Sequence, residues 1–179
     1  IEPLGPVSSI AAKGKPANFS DVFRRSIASR IDAEDIRREL KRQWEAFRDI
    51  LGTQPSHVDG HQHIHQLPVI RDAVIETVAS LAPKGGTYVR ACADRPTAIL
   101  GRRVGVARAF ALAYFGREFR LRAKARGVMT NSGFSGLYDL SGRAPYISFF
   151  SKFLIGLRPR SVILCHPGNP DQGYRDDPI

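Results

Sequence analysis

Residues 56–82 read SHVDGHQHIHQLPVIRDAVIETVASLA, and this stretch decides the fold. SHVD follows Pro55 and suits a short strand that opens into a loop. From Leu67 the pattern changes. Ile70, Val74, Val78 and Leu81 fall on one apolar face at helical spacing, with Pro68 near the first turn. Upstream, IDAEDIRRELKRQWEAFRDILG predicts a second helix over 32–51. Asp32 is its N-cap, and Glu34 and Asp35 lie in the first turn, where the helix dipole favours acids. Ile36, Leu40, Trp44, Phe47 and Leu51 make its apolar stripe, and Gly52 supplies the stop.

Downstream, KGG turns the chain and TYVRACA reads as a strand. Residues 97–126 read as mostly helical and basic, with eight Lys or Arg against one Glu between Gly101 and Arg126. GFSGLYDLSG reads as a glycine-rich loop, YISFFSKFLIG as an aromatic helix, and SVILCHPG as a buried strand ending in a loop. This alternation predicts an α/β fold with parallel strands. SHVD, TYVRA and SVILC are expected to be neighbouring or near-neighbouring parallel strands, with helices 32–51 and 68–82 packed outside them. The 179 residues read as one domain over 1–179, with 1–20 as a loop or poorly ordered lead-in.

Composition narrows the function classes. Apolar residues make up 42% and charged residues 25%, ordinary values for a globular protein, which exclude wholesale disorder. No apolar run reaches the roughly 18 residues of a membrane span. The first residues lack the pattern of a signal peptide, so the expectation is a cytoplasmic protein without a membrane partner. Cys92 and Cys165 are too few for a disulfide scaffold and read as small core residues in apolar strands. The net charge of +10 suits an anionic partner or a solvated basic exterior. No nucleic-acid-binding signature accompanies it, so nucleic acid is not the expected partner.

Four of the five histidines stand at 57, 61, 63 and 65, and the fifth is His166. With Asp59 they occupy alternate positions, and in an extended segment all five polar groups would share one side. Imidazole suits zinc and related divalent metals, and an added carboxylate widens the choice towards harder ions. A lone histidine is more often a satisfied structural group. This cluster sits at a strand's carboxyl end before a helix, where α/β enzymes build their sites. His166 opens the loop after SVILC, a matching place. His61 and His166 are therefore expected in one cleft.

HVDGHQHIH followed by a helix, then YVRA, GFSG and a terminal CHPG, resembles the YdjC-like carbohydrate deacetylases, the family of the chitooligosaccharide deacetylase. The resemblance implies a (β/α) barrel-like fold and a metal-dependent hydrolase that removes N-acetyl groups from amino sugars or oligosaccharides. It implies a divalent metal, Mg or Zn foremost, and a homodimer. His61 falls on a metal ligand of that pattern. His166 falls on the acid or electrostatic partner, and Arg90 on a group that orients substrate. Asp59, His63 and His65 fall around the ligand as supporting groups. In such a site the metal would polarise the amide carbonyl and acidify a bound water. The family's Asp-Asp-Phe-Gly and His-Leu motifs, which supply the other ligands, do not occur; the one Asp-Asp pair is Asp176-Asp177. The expectation is an incomplete barrel lacking the N-terminal part, inactive as this chain alone. The competing reading is a non-catalytic metal- or nucleic-acid-binding module using the His cluster and the basic stretch 101–126.

Overall fold

The computed structural model describes residues 3–5, 7, 11, 12, 15, 16, 18–82, 84–138 and 145–165. An antiparallel pair, β1 (Ala11–Ala12) with β2 (Lys15–Pro16), leads into α1 (Phe19–Ile27). Asn18 caps α1 by accepting from the Asp21 amide at 2.9 Å. Neither the pair nor this helix was expected.

The next helix, α2 (Ala33–Leu51), starts and stops as its sequence dictates. Asp32 accepts from the Glu34 amide at 2.8 Å, and Gly52 closes the helix in the left-handed region at φ 67°. Its apolar stripe is only half covered, which corrects the expectation. Ile36 and Trp44 are buried, but Phe47 is 38% exposed and Leu51 58%. The cause is length. The helix packed beside it, α3, has 12 residues against 19, so at 1.5 Å per residue α2 overhangs it by roughly 10 Å.

Next come β3 (His57–Val58), an irregular turn over His61–Gln66, and α3 (Ile70–Leu81). Ile70, Val74 and Val78 are buried as expected. The helix begins at Ile70 and not at Pro68, because Val69 takes φ 67°, ψ −56° and the Ile70 amide donates to Pro68 O at 2.8 Å. This is a tight γ-turn of the strained hand.

The strand β4 (Tyr88–Val89) runs parallel to β3, pairing His57 with Tyr88 and Val58 with Val89. The basic stretch is two helices, α4 (Pro96–Arg102) and α5 (Val106–Ala125), separated by left-handed Arg103 and Gly105. Beyond it β5 (Met129–Thr130) lies parallel to β4. The segment expected as a glycine loop holds β6 (Phe134–Ser135), which α6 (Ile147–Phe153) separates from β7 (Val162–Ile163). β6 and β7 are parallel partners. SHVD and TYVRA are therefore direct neighbours, and SVILC pairs with GFSG in a second parallel sheet. The α/β class with parallel strands stands. Besides the β1–β2 pair, the described strands form a three-stranded and a two-stranded parallel sheet.

Side-chain amides extend these short ladders. Asn131 accepts from the Ala91 amide at 2.6 Å and donates to Ala91 O at 2.9 Å and Gly133 O at 2.7 Å, bridging the two sheets. Gln66 accepts from the Cys92 amide at 2.7 Å. The main core joins Trp44, Ile70, Val74, Val78, Val89 and Phe119. At Gly116 the helix α5 presses on the strand extension, since a Cβ there would stand 2.5 Å from Ala93 N. A smaller cluster of Cys92, Phe134 and Leu137 lies at the β6–β7 side.

Candidate functional site around Arg90

The histidine segment is not extended. Only His57 and Val58 are strand, and Gln62 (φ 51°) and His63 (φ 64°) turn the chain through the left-handed region. The alternating positions therefore part company, which corrects the expectation of a single shared side. His57 is exposed and stacks on Tyr88, ring centroids 5.7 Å apart. His61 is also exposed. His63 is half-buried, and His65 is 3% exposed. Three non-glycine residues with positive φ, Gln62, His63 and Val69, fall within this one loop. Such concentrations of backbone strain mark functional loops more often than structural ones.

Arg90, at the carboxyl end of β4, is the hub. Its Nη2 donates to Asp59 Oδ1 and, at 3.3 Å, to Gly60 O. Its Nη1 donates to His63 Nδ1 at 2.7 Å and to Cys92 Sγ at 2.9 Å. The guanidinium carbon lies 5.2 Å from the centroid of the Phe134 ring, a cation–π contact. The main chain of Arg90 is tied too: its amide donates to Val58 O at 3.2 Å, and its carbonyl accepts from His65 Nε2 at 2.7 Å. Glycine is required at position 60, where a Cβ would stand 2.6 Å from His65 Nδ1.

This arrangement fixes the protonation states. Arginine only donates, so His63 Nδ1 is the bare nitrogen and its proton sits on Nε2. Burial first, and then the charge of Arg90, lower the His63 pKa to about 3. Burial and Arg90 likewise lower His65 to about 4. Burial acts to raise the Asp59 carboxyl, but the hydrogen bond and charge of Arg90 outweigh it and leave Asp59 below its ordinary value. Burial pushes the Cys92 thiol up to about 11, so it is no nucleophile near neutral pH. The site at neutral pH holds a carboxylate, a guanidinium and two neutral imidazoles.

The structure thus brings Asp59, His63, His65 and Arg90 together, and leaves His61 beside them in solvent. No hydrogen bond or ion pair holds the His61 ring among the described residues. His166 lies outside the described residues. The donor set does not itself fit a metal. Among the described residues no three His, Cys, Asp or Glu side chains converge as ligands, and Asp59 and His63 both face a guanidinium, which repels a cation. Sequence reading missed Cys92 and Phe134 as neighbours of Arg90, and Gln66 behind Cys92. The first carried a signal, since Arg90 and Cys92 are two apart in a strand segment and so share a face. Cys165, expected in the core, is exposed.

A family model described as YdjC-like protein matches residues 3–178. The carbohydrate deacetylase of Homo sapiens is 36% identical over 161 residues, covering 83% of this chain and 48% of its own length. That of Mus musculus is 37% identical over 90 residues, covering 50% and 28%. The chitooligosaccharide deacetylase of Enterobacter sp. (strain 638) is 28% identical over 88 residues, covering 49% and 32%. The chain spans less than half the length of these relatives.

Proposed function

The chain belongs to the YdjC-like family, and on that premise we propose that it forms part of a carbohydrate deacetylase, a hydrolase that frees acetate from N-acetylated amino sugars or oligosaccharides. The relatives' names supply the reaction class. The observation that carries the reading to particular residues is the fixed guanidinium of Arg90 beside the half-exposed Asp59. Arg90 orients. With its two terminal nitrogens committed to four acceptors, it holds Asp59 and His63 in one relation to each other. Neutral His63 then keeps a proton on Nε2, a donor suited to a substrate carbonyl or hydroxyl. His65 positions the assembly from behind through Arg90 O.

Metal dependence is part of the proposal, with exposed His61 contributing one ligand and the others lying beyond the described residues. His166 is proposed as the acid that protonates the leaving amine, a task for which histidine is suited. The substrate is an N-acetylated carbohydrate, and the working unit is proposed to be a cytoplasmic homodimer.

The test is acetate release from chitooligosaccharides by this chain and by the longest native form that contains it, with and without chelator and added Mg or Zn. The chain alone is expected to release little. In the active form, His61→Ala should lose both metal and activity, and His166→Ala should keep the metal and lose turnover. Arg90→Ala should lower kcat/KM by about 100-fold, the scale of losing one preorganised polar group. Failure of the longest form to release acetate with any metal would sink the reading.

A further inference from the structure

Around Asn131 lies a second concentration of charge. A cavity of about 480 Å³ is lined by Arg120 and Lys124 of α5, by Arg158 and Arg160 from the segment before β7, and by Thr130 and Ser132. Among the described residues no carboxylate lines it. Two of its cations are held by backbone carbonyls. Arg120 Nη2 donates to Ala93 O and Asn131 O, each at 3.0 Å, and Arg158 Nη2 donates to Ser132 O. Carbonyl anchoring fixes position without cancelling charge.

The nearby acid is already committed. Asp94 pairs with Arg102 at 2.6 Å. Lys124 and Arg160 have no acid partner among the described residues. Burial and the neighbouring charge of Arg158 push Arg120 below its ordinary pKa. Four cations thus converge on one cavity, with Asp94, already paired to Arg102, as the one carboxylate among the described residues whose charge reaches Arg120, and an anion is the species that would relieve them. Guanidinium groups match the oxygens of a phosphate in pairs. The volume falls in the range of about 300–1,000 Å³ usual for small-molecule sites.

We propose that this cavity binds the phosphate group of a small phosphorylated molecule, with Arg120 and Arg158 as fixed donors and Lys124 and Arg160 closing on the anion. The site is separate from Arg90, and its occupation is read by binding and not by acetate release.

Calorimetric titration at low salt would use inorganic phosphate and glucosamine 6-phosphate as probes. Both should bind. A tighter sugar phosphate identifies a phosphorylated metabolite as occupant, and equal affinities identify a free oxyanion site; either supports the proposal. Lys124→Ala and Arg160→Ala should each weaken binding by about tenfold, as expected for losing a charge-assisted contact. Neither side chain makes a hydrogen bond or ion pair among the described residues. Arg117→Ala, which removes one exposed charge from α5 outside the cavity, should leave binding unchanged. The proposal is overturned by no binding of either probe, or by equal loss in Arg117→Ala, which would mean net charge alone. Tighter binding of a single-stranded oligonucleotide than of the sugar phosphate would also overturn it, in favour of an extended polyanion face.

Discussion

Arg90 and Arg102 are both nearly sealed from solvent, their side chains 7% and 6% exposed, and each holds an aspartate. The aspartates differ. Asp94 is as buried as its arginine, at 3%, whereas Asp59 is 43% exposed. Arg102 spends its other donors on Ile155 O and Phe134 O, tying α4 to the β6 and α6 region. Arg90 spends its others on a histidine, a thiol and a loop carbonyl. The same ion pair serves as a strut where both partners are enclosed, and as a presenting device where one partner faces water. Sequence alone makes the two arginines look alike.

The comparison breaks first at Asp94. Asp94→Ala leaves a buried guanidinium without its counter-charge, and should cost about 3–5 kcal/mol of unfolding free energy in urea titration. A loss near 1 kcal/mol would mean that solvent reaches Arg102 and that the strut reading is wrong.

A second effect belongs to the Arg90 side and appears on acidification. His65 titrates at about 4 in the folded chain against 6.5 when exposed, so between those values the unfolded chain binds the extra proton. Stability from this group is full above pH 6.5 and lost as pH falls towards 4, on the order of 3 kcal/mol. His65→Gln should flatten that slope. An unchanged slope in the variant would assign the acid sensitivity elsewhere.

Asp59→Asn gives the smallest effect on stability. Solvent screens this pair, so the loss should be about 1 kcal/mol by the same urea titration. A loss as large as that of Asp94→Ala would erase the distinction between strut and presenting pair.

Local signals were the legible part of this chain. The caps of α2 and the buried face of α3 follow from residue type and spacing, because each is settled within a few neighbours. Phe47 and Leu51 were misread because their burial depends on how far α3 reaches, a fact about another segment. Phe134–Ser135 was misread because glycines on either side of a two-residue strand look like a loop. At the site, the residue types were legible and their directions were not. Period-two alternation holds only while φ stays negative, and Gln62 and His63 leave that region. His63 and His65 thereby turn to Arg90, while His61 turns to water.

Asn131 carries a consequence for how the strands find their alignment. Ladders two residues long hold few main-chain rungs, and main-chain rungs are blind to residue identity, so by themselves they would tolerate a slip. An amide side chain is not blind. The oxygen and nitrogen of Asn131 meet the amide and carbonyl of one residue, Ala91, and the nitrogen also reaches Gly133 O. A slip by one residue would bury both polar ends unmatched. The alignment of the β4 and β5 segments, and with it the distance from Arg90 to the basic cavity, is therefore indexed by a single side chain, much as a keyed connector admits one orientation among several that would otherwise fit.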